Sequence, residues 1–193
     1  MKNPARFKNL VLSGALLLLY LVTHIISLFN SQPIDLLNLI ATVGVLTGVT
    51  LFLSWMPSAY YAAIVLFACA AQYFGMMFDF YHTFWWYDII VHFFSGILLS
   101  SLGYFLFRLL TKKIEAVFPI AIPVLFAVFF AIACAGLWEI YEYCADTFFG
   151  LQSQSSAVQS AIDDTMQDII AGTLSAICYG AGLAFCLRRK NSE

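Results

Sequence analysis

The run from Phe118 to Leu137 is twenty residues long and carries no charged side chain. About 20 apolar residues are what an α-helix needs to cross a hydrocarbon core roughly 30 Å thick. Six segments of this kind recur, at about 9–29, 36–54, 60–80, 87–110, 118–147 and 164–187. No water is present in hydrocarbon to satisfy a bare backbone, so spanning segments must be helical unless they close into a barrel. Composition agrees, with 62% hydrophobic and 10% charged residues against about a quarter charged in soluble domains. The expected fold is therefore all-α: a polytopic membrane protein, a six-transmembrane-helix bundle forming one domain over residues 1–193.

Charge sets the orientation. All nine basic residues lie in three places: Lys2, Arg6 and Lys8; Arg108, Lys112 and Lys113; and Arg188, Arg189 and Lys190. With six spans these places fall on one side, which the positive-inside rule makes the cytoplasm. Both termini are thus expected to be cytoplasmic (N-in/C-in). Lys2, Arg6 and Lys8 before an apolar run resemble a signal peptide, but the run continues to about Phe29 with no convincing cleavage site, so a retained first helix is expected. The five cysteines are odd in number and lack C-x-x-C spacing, which points to small apolar side chains rather than disulfides or a thiolate zinc site.

The acids show the opposite bias. Only Glu115 and Glu193 of the eleven fall on the inner side; Asp35, Asp79, Asp88, Glu139, Glu142, Asp146, Asp163, Asp164 and Asp168 sit at or near outer ends of spans. Acids contribute little to topology, so this concentration needs its own cause. The fourth span begins "YDIIVHFFSG", the fifth ends "WEIYEYCAD" and the sixth begins "DDTMQDIIAG". These give Asp88-x3-His92, Glu139-x2-Glu142-x3-Asp146 and Asp164-x3-Asp168, each on one helix face. At 1.5 Å per residue, His92 and Asp168 lie about 6 Å deeper than Asp88 and Asp164. A shallow tier of Asp88, Asp146 and Asp164 is expected over a deeper one of His92, Glu139, Glu142 and Asp168.

Carboxylates this close either protonate or share a cation. Asp88, His92, Glu139, Glu142, Asp164 and Asp168 form a hard-oxygen, borderline-nitrogen ligand set suited to Mg²⁺, Ca²⁺ or Mn²⁺, or to Zn²⁺ where His92 binds directly. Asp146, Asp163, Tyr141 and His24 are candidates for the surrounding shell. Small residues on the same helices (Gly96, Ser100 and Gly103; Ala131 and Ala135; Gly172, Ala176 and Gly180) favour close packing. Simpler roles compete. Asp88, Asp163 and Asp164 at helix N-termini suit the dipole, whereas acids at a helix C-terminus do not. Trp85, Trp86, Tyr87, Trp138, Tyr141 and Tyr143 are first an interfacial aromatic belt. Asp79 and His82, at the outer end of the third span, are weaker site candidates. The long connection "GLQSQSSAVQSAID" is polar, lacks Pro and has room for a short interfacial helix.

The motifs "YDIIVHFFSGIL", "WEIYEYCAD" and "DDTMQDIIAG" resemble the YjdF-type family of bacterial integral membrane proteins, over roughly residues 80–185. They are more distantly similar to VanZ-like membrane proteins, with Asp168 standing where that pattern has Asn and Ala171 where it has Gly. The resemblance implies the bacterial cytoplasmic membrane and an envelope setting. Three function classes follow. The first is a metal-dependent enzyme acting on an envelope lipid or lipid-linked substrate. The second is a cation- or proton-coupled transporter or ion-binding protein, and the third a structural protein with an ion-stapled cap. Membrane lipids are the expected partners, with no nucleic acid.

Overall fold

A computed structural model describes residues 4–29, 36–150, 153–154 and 160–192. Position 35 and residues 151–152 and 155–159 of the 148–163 connection, on which the expected interfacial helix falls, lie outside the described residues. The elements are α1 (Pro4–Phe29), α2 (Leu36–Leu53), α3 (Ser58–Ala68, continued as π-helix over Cys69–Met77), α4 (Phe80–Thr83), α5 (Tyr87–Thr111), α6 (Ala121–Phe149) and α7 (Ala161–Ser192). The described residues are all-helical, as expected of a polytopic helical membrane protein. Five stretches are long and apolar enough to cross a membrane: Pro4–Ile26, Ser58–Met77, Tyr87–Thr111, Ala121–Phe149 and Ala161–Ser192. Thr42–Leu53 is a shorter apolar helix.

The chain divides into two compact units, Met1–Tyr87 and Asp88–Glu193. In the first, Leu46, Tyr61 and Val65 are buried against Leu12, Leu16, Leu17, Val49 and Leu53. Its buried polar groups find one another, as they must away from water. Asn9 Nδ2 donates to the carbonyls of Ser54 and Met56, both at 3.0 Å. The Ser13 hydroxyl pairs with that of Tyr61, which also meets the Thr50 hydroxyl at 3.2 Å.

The third span is not the uniform helix expected over residues 60–80. It passes into π-helix at Cys69 and ends at Asp79, which is left-handed at φ 58°. Asp tolerates that conformation because its short side chain bonds locally; here the carboxylate meets His82 Nδ1 at 2.5 Å. Both residues are exposed, each at 65%, so this pair is a turn element at the surface.

In the second unit α5, α6 and α7 pack along stripes that repeat every four residues. The buried residues of α6 are Pro123, Ala127, Ala131, Ala135, Glu139 and Ala145. Those of α7 are Asp168, Ala171, Gly172, Ser175, Ala176 and Gly180. On α5 the buried set includes His92, Gly96, Ser100 and Gly103. Residues four apart form the ridges that interlock neighbouring helices, and small ones let backbones approach. The approach is close: a Cβ on Gly96 would overlap the Gly172 carbonyl and the Ser175 hydroxyl. One on Gly180 would lie 2.6 Å from Val128 Cγ2. Outward positions such as Leu125, Phe129, Leu137, Ile170, Leu174 and Phe185 are exposed, the surface a helix bundle presents to lipid. Pro123 falls in the first turn of α6, where its missing N–H has no carbonyl to serve. Gly150 closes the helix in the left-handed conformation (φ 67°), its N–H bonding the Asp146 carbonyl at 3.1 Å.

The seam yields a paired expectation. Gly96→Ala should overpack it and cost about 1–3 kcal/mol, read as a lower thermal midpoint in detergent. Gly136→Ala, where a Cβ meets nothing within 4 Å, should be neutral or slightly stabilising by helix propensity.

Candidate metal centre

The stripes that pack the second unit end in its ionisable residues. Continuing Ser100–Gly96 by fours reaches His92 and then Asp88. Continuing Ala127–Ala131–Ala135 reaches Glu139, and Gly180–Ala176–Gly172 reaches Asp168 and then Asp164. Because α6 runs antiparallel to α5 and α7, all three series finish at one end. A Cβ on Gly172 would lie 3.6 Å from the His92 carbonyl and 3.7 Å from Ala135 Cβ, so the three helices meet immediately beneath the acids. Arg108 and the Arg188–Lys190 cluster lie toward the opposite ends of α5 and α7.

His92 is the hub. Its Nε2 is 3.4 Å from Asp88 Oδ1 and 3.7 Å from Asp168 Oδ2, and its Nδ1 is 3.9 Å from Glu139 Oε1. Asp88, His92 and Asp168 offer one ligand atom each, all within 4.8 Å of one another, and so form a group that could hold a metal ion. His92, Glu139 and Asp168 are 8%, 5% and 2% exposed. Both Glu139 carboxylate oxygens and Asp168 Oδ2 are buried without a hydrogen-bond partner. Among the described residues, the ion-pair partner of these carboxylates is His92 alone. Asp168 also feels the charges of Asp88, Asp164, Glu139 and Glu142. Unpaired buried carboxylates are expensive, and a shared cation removes both the repulsion and the missing partners.

The tiers differ from those expected. Asp88, placed in the shallow tier, joins the deep group through His92. Asp88 and His92 are four residues apart on one face of α5, where side chains stack one above the other, and the length of the imidazole carries Nε2 to 3.4 Å from Asp88 Oδ1. Glu142, placed in the deep tier, is only partly buried and accepts the Trp138 indole N–H at 2.8 Å. Asp164 sits one turn above Asp168, partly buried.

The candidates for the surrounding shell take separate roles. Asp146 accepts the backbone N–H groups of Ser153 and Gln154 at 2.8 and 3.0 Å, which ties down the start of the following connection. Asp163 pairs with Ser160 at the start of α7: the Ser160 hydroxyl donates to its carboxylate at 2.7 Å and accepts its N–H at 3.2 Å. Tyr141 is 58% exposed and packs beside Trp138, their ring centroids 5.3 Å apart. His24 belongs to the first unit, where it is buried beside Tyr20 with Nδ1 3.2 Å from that residue's carbonyl.

Gln154 and Thr165 carry no sequence signal that singles them out, yet they roof the site. Gln154 is 5% exposed, and its amide donates to the Thr165 hydroxyl at 2.8 Å and the Glu139 carbonyl at 3.4 Å. Both side chains also act on the Glu139 carboxylate as hydrogen-bonding neighbours, although neither makes a well-aligned hydrogen bond to it.

Fold and cluster together define a polytopic helical membrane protein with an Asp–His–Asp group whose His92 and Asp168 are buried and whose Asp88 is half-buried. The family described as "Predicted membrane protein (DUF2238)" matches residues 10–189, and the chain belongs to it. This is the YjdF-like family that the motifs resemble, and its match reaches well beyond residues 80–185 into the first helices. An uncharacterized protein of Thermotoga maritima is 30% identical over 105 residues, which is 54% of this chain. The aligned stretch spans only 50% of that relative's length. No solved structure matches the chain.

The Asp146 anchor gives a local expectation. Asp146→Ala should speed amide hydrogen exchange at Ser153 and Gln154 roughly tenfold, the factor for losing about 1.5 kcal/mol of charge-assisted hydrogen bonding. Asp146→Asn, which keeps one carbonyl oxygen, should have a smaller effect.

Proposed function

We propose that the protein binds a divalent cation at the acidic end of α5–α7 and uses it as a membrane enzyme acting on an envelope lipid or lipid-linked substrate. The supporting observation is the convergence of Asp88, His92 and Asp168, with Asp168 Oδ2 buried and unpartnered. Asp88, His92 Nε2 and Asp168 are the ligands in this reading. Glu142 and Asp164 stand further out and add to the negative field that draws a cation in. Three protein ligands leave coordination positions for water or substrate, as catalytic sites do and closed structural sites do not. A divalent ion held there supplies Lewis acidity and a water activated for attack. Glu142 and Asp164 are the carboxylates that would remain free of the ion to serve as a general base.

The chemistry of the donors favours Mn²⁺, Mg²⁺ or Zn²⁺. The positive-inside rule puts this end at the outer face of the bacterial cytoplasmic membrane, with both termini cytoplasmic. A fixed site fits better than a conduit, because below His92 the Gly96, Gly172 and Ser175 backbones and side chains close the seam between the helices.

Elemental analysis and thermal shift of the purified protein test the reading. About one equivalent of a divalent metal should copurify or bind, and should be lost in Asp168→Asn and His92→Gln. Adding the metal at 100 times its Kd should stabilise wild type by about 2.7 kcal/mol and leave both variants unmoved. Absence of metal together with an unchanged midpoint in Mn²⁺, Mg²⁺, Ca²⁺ and Zn²⁺ would reject the site. Cation flux through liposomes that depends on Asp168 would replace the enzyme with a transporter.

A further inference from the structure

The two nitrogens of His92 face different partners. Nε2 looks toward Asp88 and Asp168, at 3.4 and 3.7 Å, while Nδ1 looks toward Glu139, at 3.9 Å. An ion shared by the two aspartates can therefore take only Nε2 from this ring without reorienting it. Nδ1 then carries the proton, because a neutral imidazole that ligates through one nitrogen is protonated on the other. That N–H faces Glu139, whose two oxygens are buried and have no well-aligned hydrogen-bond donor.

We propose that Glu139 is not a metal ligand but the carboxylate that orients His92 through Nδ1, in a carboxylate–histidine–metal arrangement. The inference rests on the cation reading of the preceding subsection. Ligating histidines commonly donate their remaining N–H to a carboxylate or carbonyl, which locks the tautomer, sets the ring plane and raises ligand basicity. The 3.9 Å separation exceeds hydrogen-bonding distance by about 1 Å, which small side-chain rotations of Glu139 and His92 can close. A charge on Nε2 strengthens that bond, since the donor becomes more acidic while the acceptor stays anionic.

The helix register explains why Glu139 and not Glu142 takes this role. Glu139 continues the Ala127–Ala131–Ala135 stripe that faces α5 and α7, so it arrives in the seam beside the imidazole. Glu142, three residues on, leaves the stripe and is held by the Trp138 indole. Glu139 is 5% exposed, so its donors must come from the protein, and the His92 ring stands beside the Thr165 hydroxyl and Gln154 amide among the candidates.

The chain has only three histidines, so protein labelled with ¹⁵N-histidine and titrated with Zn²⁺, a diamagnetic probe, gives an assignable NMR spectrum. His92→Gln identifies the His92 signals. The expected wild-type result is zinc coordination at Nε2, with Nδ1 protonated and its proton shifted downfield by a strong hydrogen bond. In Glu139→Gln zinc should remain bound through Nε2, with affinity reduced about 10–100-fold and the downfield proton lost. Coordination through Nδ1, an unchanged zinc affinity in Glu139→Gln, or a loss of zinc as complete as in Asp168→Asn overturns the proposal while leaving the metal site standing. No zinc-dependent change at His92 in wild type overturns both. Should Glu139→Gln fail to fold, the wild-type spectrum still decides between the two nitrogens.

Discussion

Everything in the second unit depends on the close approach of α5, α6 and α7. In lipid there is no hydrophobic gain when apolar helices meet, so association relies on packing and on hydrogen bonds between them. Gly96 against Gly172 and Ser175, and Gly180 against Val128, bring backbones to distances at which an extra methyl group does not fit. The same four-residue step, carried past the last small residue on each helix, substitutes His92 for glycine, Glu139 for alanine and Asp168 for glycine. Packing energy gathered along the whole seam thus holds together, at its end, groups that would repel one another alone. The site is the polar end of the interface and could not be moved along it by one residue without turning the acids toward lipid.

Much of this was legible in the sequence because membrane helices obey two simple periodicities. Charge-free runs mark the spans, and steps of three and four mark shared faces; Ala131–Ala135–Glu139 and Asp168–Gly172–Ala176 carry both the packing and the chemistry. What stayed hidden depends on direction and on tertiary contact. Spacing positions backbones, so it put Asp88 a tier above His92, whereas the reach of the imidazole brings its Nε2 to 3.4 Å from Asp88 Oδ1. It also grouped Glu142 with Glu139, although a three-residue step leaves the four-residue stripe. The hydrogen bonds of Asp146 to Ser153 and Gln154 join positions seven and eight apart across a helix end, beyond any local pattern. The passage of the third span into π-helix at Cys69 has no compositional mark at all.

The two units answer the same physical demand in opposite ways. In the first, Asn9 is bonded to two carbonyls, and Ser13, Thr50 and Tyr61 satisfy one another. These polar side chains act as glue, each replacing water with a neighbour. In the second, Glu139 and Asp168 are as deeply buried yet keep carboxylate oxygens with no donor. The Ser100 hydroxyl also lacks a partner, but it is neutral, and its cost is small beside that of an anion.

A helix seam that needed only polar glue would be served by serines and asparagines, as the first unit is. Acids in that position cost more and hold nothing together by themselves, because like charges push the helices apart. Carboxylates so placed are neutralised either by protons or by a shared cation, and among the described residues the imidazole of His92 stands against the five carboxylates of Asp88, Glu139, Glu142, Asp164 and Asp168. The need is greatest at Asp168, which is 2% exposed and feels the like charges of Asp88, Asp164, Glu139 and Glu142. In the proposed reading, a divalent cation between Asp88, His92 Nε2 and Asp168 would supply the neutralising charge. It would also make Glu139 the acceptor for the imidazole N–H that metal binding leaves on Nδ1.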